Sequence, residues 1–188
     1  IDRMRTVTEQ GENIVFNPLT GGTTVATDLY YAAGDPNAAE TPQVVSNAYT
    51  NNVPGGTAAS TTQFVLDSNL DVLATLANND GILTTIGQVT YNGGLLDFGP
   101  DAGFDIYAAG GVNTAYAVLN VGNVASLYTI DLTTAVATLV GDLPSGFGTI
   151  RGLAIDPTVV PEPSSMILAA IAAAGLAAPR VLRARSRS

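Results

Sequence analysis

Residues 62–77 read TQFVLDSNLDVLATLA, and residues 126–141 read SLYTIDLTTAVATLVG. Laid over each other, Phe64 meets Tyr128, Leu66 meets Ile130, Asp67 meets Asp131 and Val72 meets Val136. Each copy is a run of aromatic and branched residues, an Asp-centred turn, and a second run rich in Val and Thr. That is the signature of two short strands joined tightly. Residues 13–26, NIVFNPLTGGTTVA, give a looser third copy, with Phe16 at the place of Leu66 and Asn17 at the place of Asp67. An Asp or Asn closing a strand accepts a hydrogen bond from the amide two residues on. Asn17, Asp67 and Asp131 are therefore read as hairpin residues, ahead of any role in catalysis or metal binding.

Similar runs lie at 114–119, 127–130 and 136–140, with turn signals at Thr20-Gly21-Gly22, Pro54-Gly55-Gly56, Asn79-Asp80-Gly81 and Asn92-Gly93-Gly94. No body segment keeps a helical apolar period beyond a turn or two. The expectation is an all-β fold, propeller-like and partial, with about three blade-like hairpin units. A sandwich or an irregular sheet is the alternative. Residues 34–42 are expected to shield an outer sheet edge. A propeller closes with about 4 to 8 blades, so the chain is read as a fragment lacking N-terminal blades.

Charge divides the chain in two. Residues 1–160 hold three arginines against 15 acids, net -12, while residues 161–188 are net +3. An acidic body repels phosphate backbones, which argues against nucleic acid. Lys, His, Cys and Trp are absent. Without His or Cys there is no Ser-His-Asp triad, imidazole metal site or thiol nucleophile. Carboxylates remain. Asp97, Asp101 and Asp105 stand four apart among glycines and are the candidates for a calcium site or an acid pair; structural turns are the leading reading. Arg3 and Arg5 are expected to form ion pairs with nearby acids.

The C-terminus reads PEPSSMILAAIAAAGLAAPRVLRARSRS from Pro161. Pro161, Glu162 and Pro163 form a stiff linker motif within 158–165. An uncharged run of 13 residues follows from Met166, then Arg180, Arg183, Arg185 and Arg187. As a helix the run rises about 20 Å, short of a hydrocarbon core about 30 Å thick. It suits transient rather than lasting membrane residence, with the arginines cytoplasmic and the body outside.

This order of parts resembles the PEP-CTERM sorting signal. The resemblance implies export in a Gram-negative bacterium with exopolysaccharide or biofilm systems, processing by exosortase-type machinery, and a cell-surface or extracellular destination after transient anchoring. The body resembles an uncharacterised bacterial family, known only as a domain of unknown function, with propeller-like β repeats. The matching segments include DRMR at 2–5, GENIVFNPLTGGTT from Gly11, AYTN at 48–51, NNDGILTTIG from Asn78, GFDI at 103–106 and LYTIDLTTAVATLVG from Leu127. That family implies no activity, cofactor or site residue. The domain division expected is 1–157, 158–165 and 166–188, the last including a short hydrophobic helix.

The functional expectation is a non-catalytic binding or structural module, leaning away from an enzyme. It would meet exopolysaccharide or surface proteins through Tyr30, Tyr31, Tyr49, Tyr91 or Tyr107. The alternatives are a carboxylate-based extracellular carbohydrate-active enzyme and a calcium-stabilised structural module. No catalytic residue and no cofactor is assigned beyond possible calcium.

Overall fold

Branched and aromatic runs broken by Gly, Asn and Asp give strands that are short and turns that are tight. The structure is a computed structural model and describes residues 3–52, 58–146 and 149–156. All lie in one compact unit, Ile1–Pro157. Among the described residues the only helical piece is a 3-10 turn at Asn78–Asp80. The hydrophobic helix expected after residue 166 and the Pro54-Gly55-Gly56 turn lie outside the described residues.

The first sheet is antiparallel, ordered β1 (Met4–Val7), β2 (Asn13–Phe16), β3 (Thr23–Val25). The second holds β4 (Tyr30–Tyr31), β5 (Val44–Tyr49), β6 (Gln63–Asp67), β7 (Val72–Leu76) and β8 (Ile82–Gln88). Its order is β4-β8-β7-β6-β5, with β4 parallel to β8 and the rest antiparallel. A hairpin of β9 (Thr90–Tyr91) and β10 (Gly94–Leu95) follows. Its two-residue turn sets Asn92 and Gly93 at φ 51° and 78°, the left-handed pair that Asn-Gly favours. The third sheet runs in sequence order: β11 (Ala102–Ala109), β12 (Val112–Val121), β13 (Val124–Ile130), β14 (Ala137–Asp142).

The second sheet is buried on both faces. Phe64, Leu66 and Leu73 pack against Phe104, Ile106, Ala117 and Leu119 of the third sheet. Val65, Val72, Ala74 and Leu83 lie in a separate cluster with Leu29, Tyr31 and Val7 on the side of the first sheet. A strand covered on both faces loses its polar alternation, which is why all five residues of β6 are buried. Phe98 and Leu119 are among the largest fully buried side chains; truncating such a Phe costs about 3–5 kcal/mol.

The Asp-centred turn recurs as expected. Asn17, Asp67 and Asp131 each accept, on Oδ1, the amide two residues on: Leu19 at 3.0 Å, Asn69 at 2.9 Å and Thr133 at 2.8 Å. Four residues after each comes a left-handed residue: Gly21, Asp71 or Ala135. Within the sheets, however, the copies are out of step. With β4 set aside and β5 counted as the first strand, the turn at Asp67 joins the second and third strands of its sheet, whereas that at Asp131 joins the third and fourth of its own. The element matching Asp131 by position is the turn at Ala77, whose N–H donates to Ile82 O at 2.8 Å as Asp131 N–H donates to Val136 O at 2.9 Å.

A repeated latch fixes this register. Leu29 N–H donates to Gly11 O in the first sheet, and Tyr30 N–H to Gly81 O in the second. Sixty residues on, Val89 N–H donates to Asp71 O in the second sheet, and Thr90 N–H to Ala135 O in the third. Each sheet thus hands a short segment to the outer strand of the next. Gly81 and Ala135 are the left-handed residues of matching turns. By this alignment β1, β2 and β3 correspond to β6, β7 and β8, and these to β12, β13 and β14.

The loop at 34–42 does shield an edge. Beyond its two-residue pairing with β4, β8 meets Asp35, which accepts Thr85 N–H at 2.8 Å and the Thr85 hydroxyl at 2.8 Å. Desolvation opposes ionisation of Asp35, but these bonds and the Asn37 amide outweigh it and hold the carboxyl below its usual range.

Candidate functional site

Asp97, Asp101 and Asp105 do not converge. Asp105 lies inside β11 rather than in a turn, and both its oxygens are taken: Oδ1 by Ile106 N–H at 2.8 Å, Oδ2 by Ile155 N–H at 2.7 Å. Asp101 pairs with Arg151 Nε at 2.7 Å. That arginine is largely exposed, so the pair adds little stability. Among the described residues no three acids are grouped to hold a metal ion.

Asp97 and Asp101 do share a wall. With Asn120, Asn123, Ser145 and Thr149 they line a groove of about 720 Å³ between the β12–β13 turn and the chain leaving β14. Its polar lining is carboxylate, amide and hydroxyl, softened by Pro100, Val124, Leu143 and Pro144. Asn120 Nδ2 fixes one side by donating to the backbone oxygens of Asp101 and Ile150.

Two features escaped the sequence reading. Asp71 sits in the left-handed region at φ 54°, nearly buried, with Oδ1 accepting Phe98 N–H at 2.9 Å. Burial pushes its carboxyl up; the Phe98 amide opposes this, and Asp97 and Asp67 add to it. Asp71 does not line the groove. The only sign of it in sequence is its place four residues after Asp67, where Gly21 stands in the copy at 13–26.

The second is a polar cluster between the first two sheets. Arg5 Nε donates to Tyr49 Oη at 3.1 Å, Nη1 to Asn13 Oδ1 and Nη2 to Asn79 Oδ1 at 2.6 Å. Asn13, fully buried, donates to the carbonyls of Asn78 and Thr27. The ion pair expected for Arg5 is replaced by neutral oxygens, because its strand faces amides and a phenol rather than acids.

The tyrosines divide. Tyr31 is buried against Asp67 and does not reach a surface. Tyr49 is tied into the Arg5 cluster, with its oxygen also 2.8 Å from Gln63 Oε1. Tyr91 packs edge-on to Tyr128 with ring centres 5.7 Å apart. Tyr30 is exposed and Tyr107 half-buried.

Residues 1–154 match the family described as Domain of unknown function (DUF4394). The chain belongs to the DUF4394 family. The family description carries no activity. Residues 159–185 of this DUF4394 chain match the PEP-CTERM protein-sorting motif, a range that contains Pro161, Glu162, Pro163, Arg180, Arg183 and Arg185. The protein is exported through an exosortase-type system and is a membrane-anchored surface protein. No curated protein matches the chain.

Proposed function

We propose that this DUF4394 chain is a non-catalytic surface module that binds a hydroxyl-rich polymer, such as exopolysaccharide, in the groove between Asp97 and Thr149. The observation that carries this reading is the groove's lining. Carboxylate, amide and hydroxyl groups in a shallow trough with apolar patches match the alternating hydroxyl and C–H surfaces of sugars. Its acidity favours a neutral polymer over an anionic one. An acid-pair enzyme is disfavoured, since Asp105 is occupied by two amides and Asp101 by Arg151. The domain division proposed is 1–157 as the binding module, 158–165 as linker and 166–188 as the membrane-directed signal.

The three sheets are best understood as successive propeller-like blades. Support comes from the repeated latch and from the packing of β11 beside β5, the strands that precede the matched sets β12 to β14 and β6 to β8. The full mature protein, incubated with neutral and uronic-acid exopolysaccharides, should be pulled down by the neutral polymer. Asn120→Ala and Asn123→Ala should weaken capture at least tenfold. Unchanged capture by both variants, or no capture of the parent, would remove the groove from consideration.

A further inference from the structure

The groove beside the β12–β13 turn carries one charge that the protein itself leaves uncompensated. Asp97 is exposed on its wall, and among the described residues it has no ion pair and no hydrogen bond. Its neighbour in that wall, Asp101, is neutralised by Arg151 Nε at 2.7 Å. Lys and His are absent from the chain, and residues 1–160 hold only three arginines. One of these, Arg5, is spent on neutral oxygens at the junction of the first two sheets.

A second anion lies behind Asp97. The next residue, Phe98, is fully buried and gives its N–H to Asp71 Oδ1 at 2.9 Å. The Phe98 side chain thereby anchors the backbone on which Asp97 stands. Burial pushes the Asp71 carboxyl up, the Phe98 amide opposes this, and the Asp97 charge adds to the rise. The two carboxylates therefore sense each other across the Phe98 backbone. A cation arriving at Asp97 relieves that repulsion as well as forming a pair.

The rest of the lining is not that of a bare ion site. Asn123, Ser145 and Thr149 offer an amide and two hydroxyls, and Pro100, Val124 and Leu143 offer apolar surface. Those groups meet sugar hydroxyls and ring C–H faces. The carboxylate selects a positive group beside them, because a charge-assisted hydrogen bond is stronger than a neutral one. An N-acetylated amino sugar brings a neutral amide to that position, whereas a free amino sugar brings an ammonium.

We propose that the groove prefers amino-sugar polymers whose amines are free, with a ring ammonium paired to Asp97 and the sugar hydroxyls on Asn123, Ser145 and Thr149. The inference rests on the polymer-binding reading of the groove and names the polymer class it selects. Asp97 is the specificity-determining residue.

The test is titration of the full chain, in mild detergent and at low salt, with a fluorescent glucosamine hexamer and its fully N-acetylated counterpart. At about pH 5.5 an ordinary carboxylate, near 3.9, is ionised and amino groups are charged. The free-amine hexamer should bind about fivefold more tightly, the upper range for one exposed ion pair. Asp97→Asn should remove that preference and leave the affinity for the N-acetylated hexamer within about twofold. Glu9→Gln, which removes an exposed charge in the β1–β2 turn, should keep the preference. A lysine hexapeptide carries the same charge without hydroxyls or ring faces, so its binding should fall equally in the two variants. Equal affinity of the parent for both sugars, a preference retained by Asp97→Asn or lost equally in Glu9→Gln, or a lysine peptide as dependent on Asp97 as the sugar overturns the proposal. Equal, measurable binding of both sugars leaves the groove's polymer binding standing, whereas binding of neither overturns that reading as well.

Discussion

Tyr31 donates its phenolic hydrogen to Asp67 Oδ2 at 2.8 Å, and neither residue is more than 4% exposed. Asp67 Oδ1 accepts the amides of Asn69 and Gln43. A buried carboxylate is tolerated only when its lone pairs are met. One side chain thus shapes the β6–β7 turn, anchors the chain entering β5, and receives β4.

Tyr31→Phe should therefore cost about 1.5–3 kcal/mol, the range for a bond to a charged buried group, read by urea denaturation. The tyrosine also sets an alkaline limit. Burial, then the Asp67 charge and bond, raise its proton affinity in the fold. The folded state keeps the proton longer than the unfolded chain, which releases it near pH 10. The contribution is complete below that pH and is lost as pH rises past it. The parent should lose stability above pH ~10 more steeply than Tyr31→Phe; equal slopes would contradict the assignment.

Gly81 is where the first sheet is fastened to the second. Its φ is +70°, and an added Cβ would lie 2.2 Å from Asp28 O and 2.5 Å from Thr27 O. Both contacts are backbone and neither yields. Gly81→Ala should cost more than the roughly 1 kcal/mol of a left-handed alanine alone, and should unfasten Tyr30 from Gly81 O. Hydrogen exchange at the Tyr30 amide should accelerate at least tenfold. Gly93→Ala, equally left-handed but with nothing within 4 Å, should show only the smaller loss of stability.

Arg5 satisfies three neutral oxygens with three different nitrogens. Arg5→Ala leaves the buried Asn13 oxygen short of a donor, a loss of about 1–3 kcal/mol. Lysine has no fork to reach Tyr49, Asn13 and Asn79 together. Arg5→Lys should recover less than half of the lost melting temperature; full recovery would mean that charge alone matters.

The hairpin grammar of the fold was legible because it is local. Asn17, Asp67 and Asp131 act on amides two residues away, and the runs at 13–16 and 72–76 coincide with β2 and β7. The register of the repeat was not legible. Asp67 and Asp131 make the same turn, but the element corresponding to Asp131 in the second sheet begins at Ala77, whose side chain cannot make the bond and so gives no signal. Nor did spacing reveal that Asp105 lies in a strand with its carboxylate spent on Ile155, a contact 50 residues distant. Asp71 and Arg5 were opaque for the same reason. Their roles come from Phe98, Asn13 and Asn79, which only tertiary packing brings near.

Asp131 offers the clearest acid-side test, since all its partners are local. The Thr133 hydroxyl, then the Thr133 and Thr134 amides, pull its carboxyl down to about 2. The unfolded chain takes up the proton near pH 3.9. The stabilisation is therefore complete above that value and is lost as pH falls toward about 2. Asp131→Ala should melt below the parent at pH 7, and the gap should close as the medium is acidified through this window. Asn17 makes the same amide bond without charge, so Asp131→Asn should restore most of the loss at neutral pH and show no acid-dependent gap of its own. If asparagine melts as low as alanine, the turn depends on the ionised carboxylate rather than on an acceptor at that position.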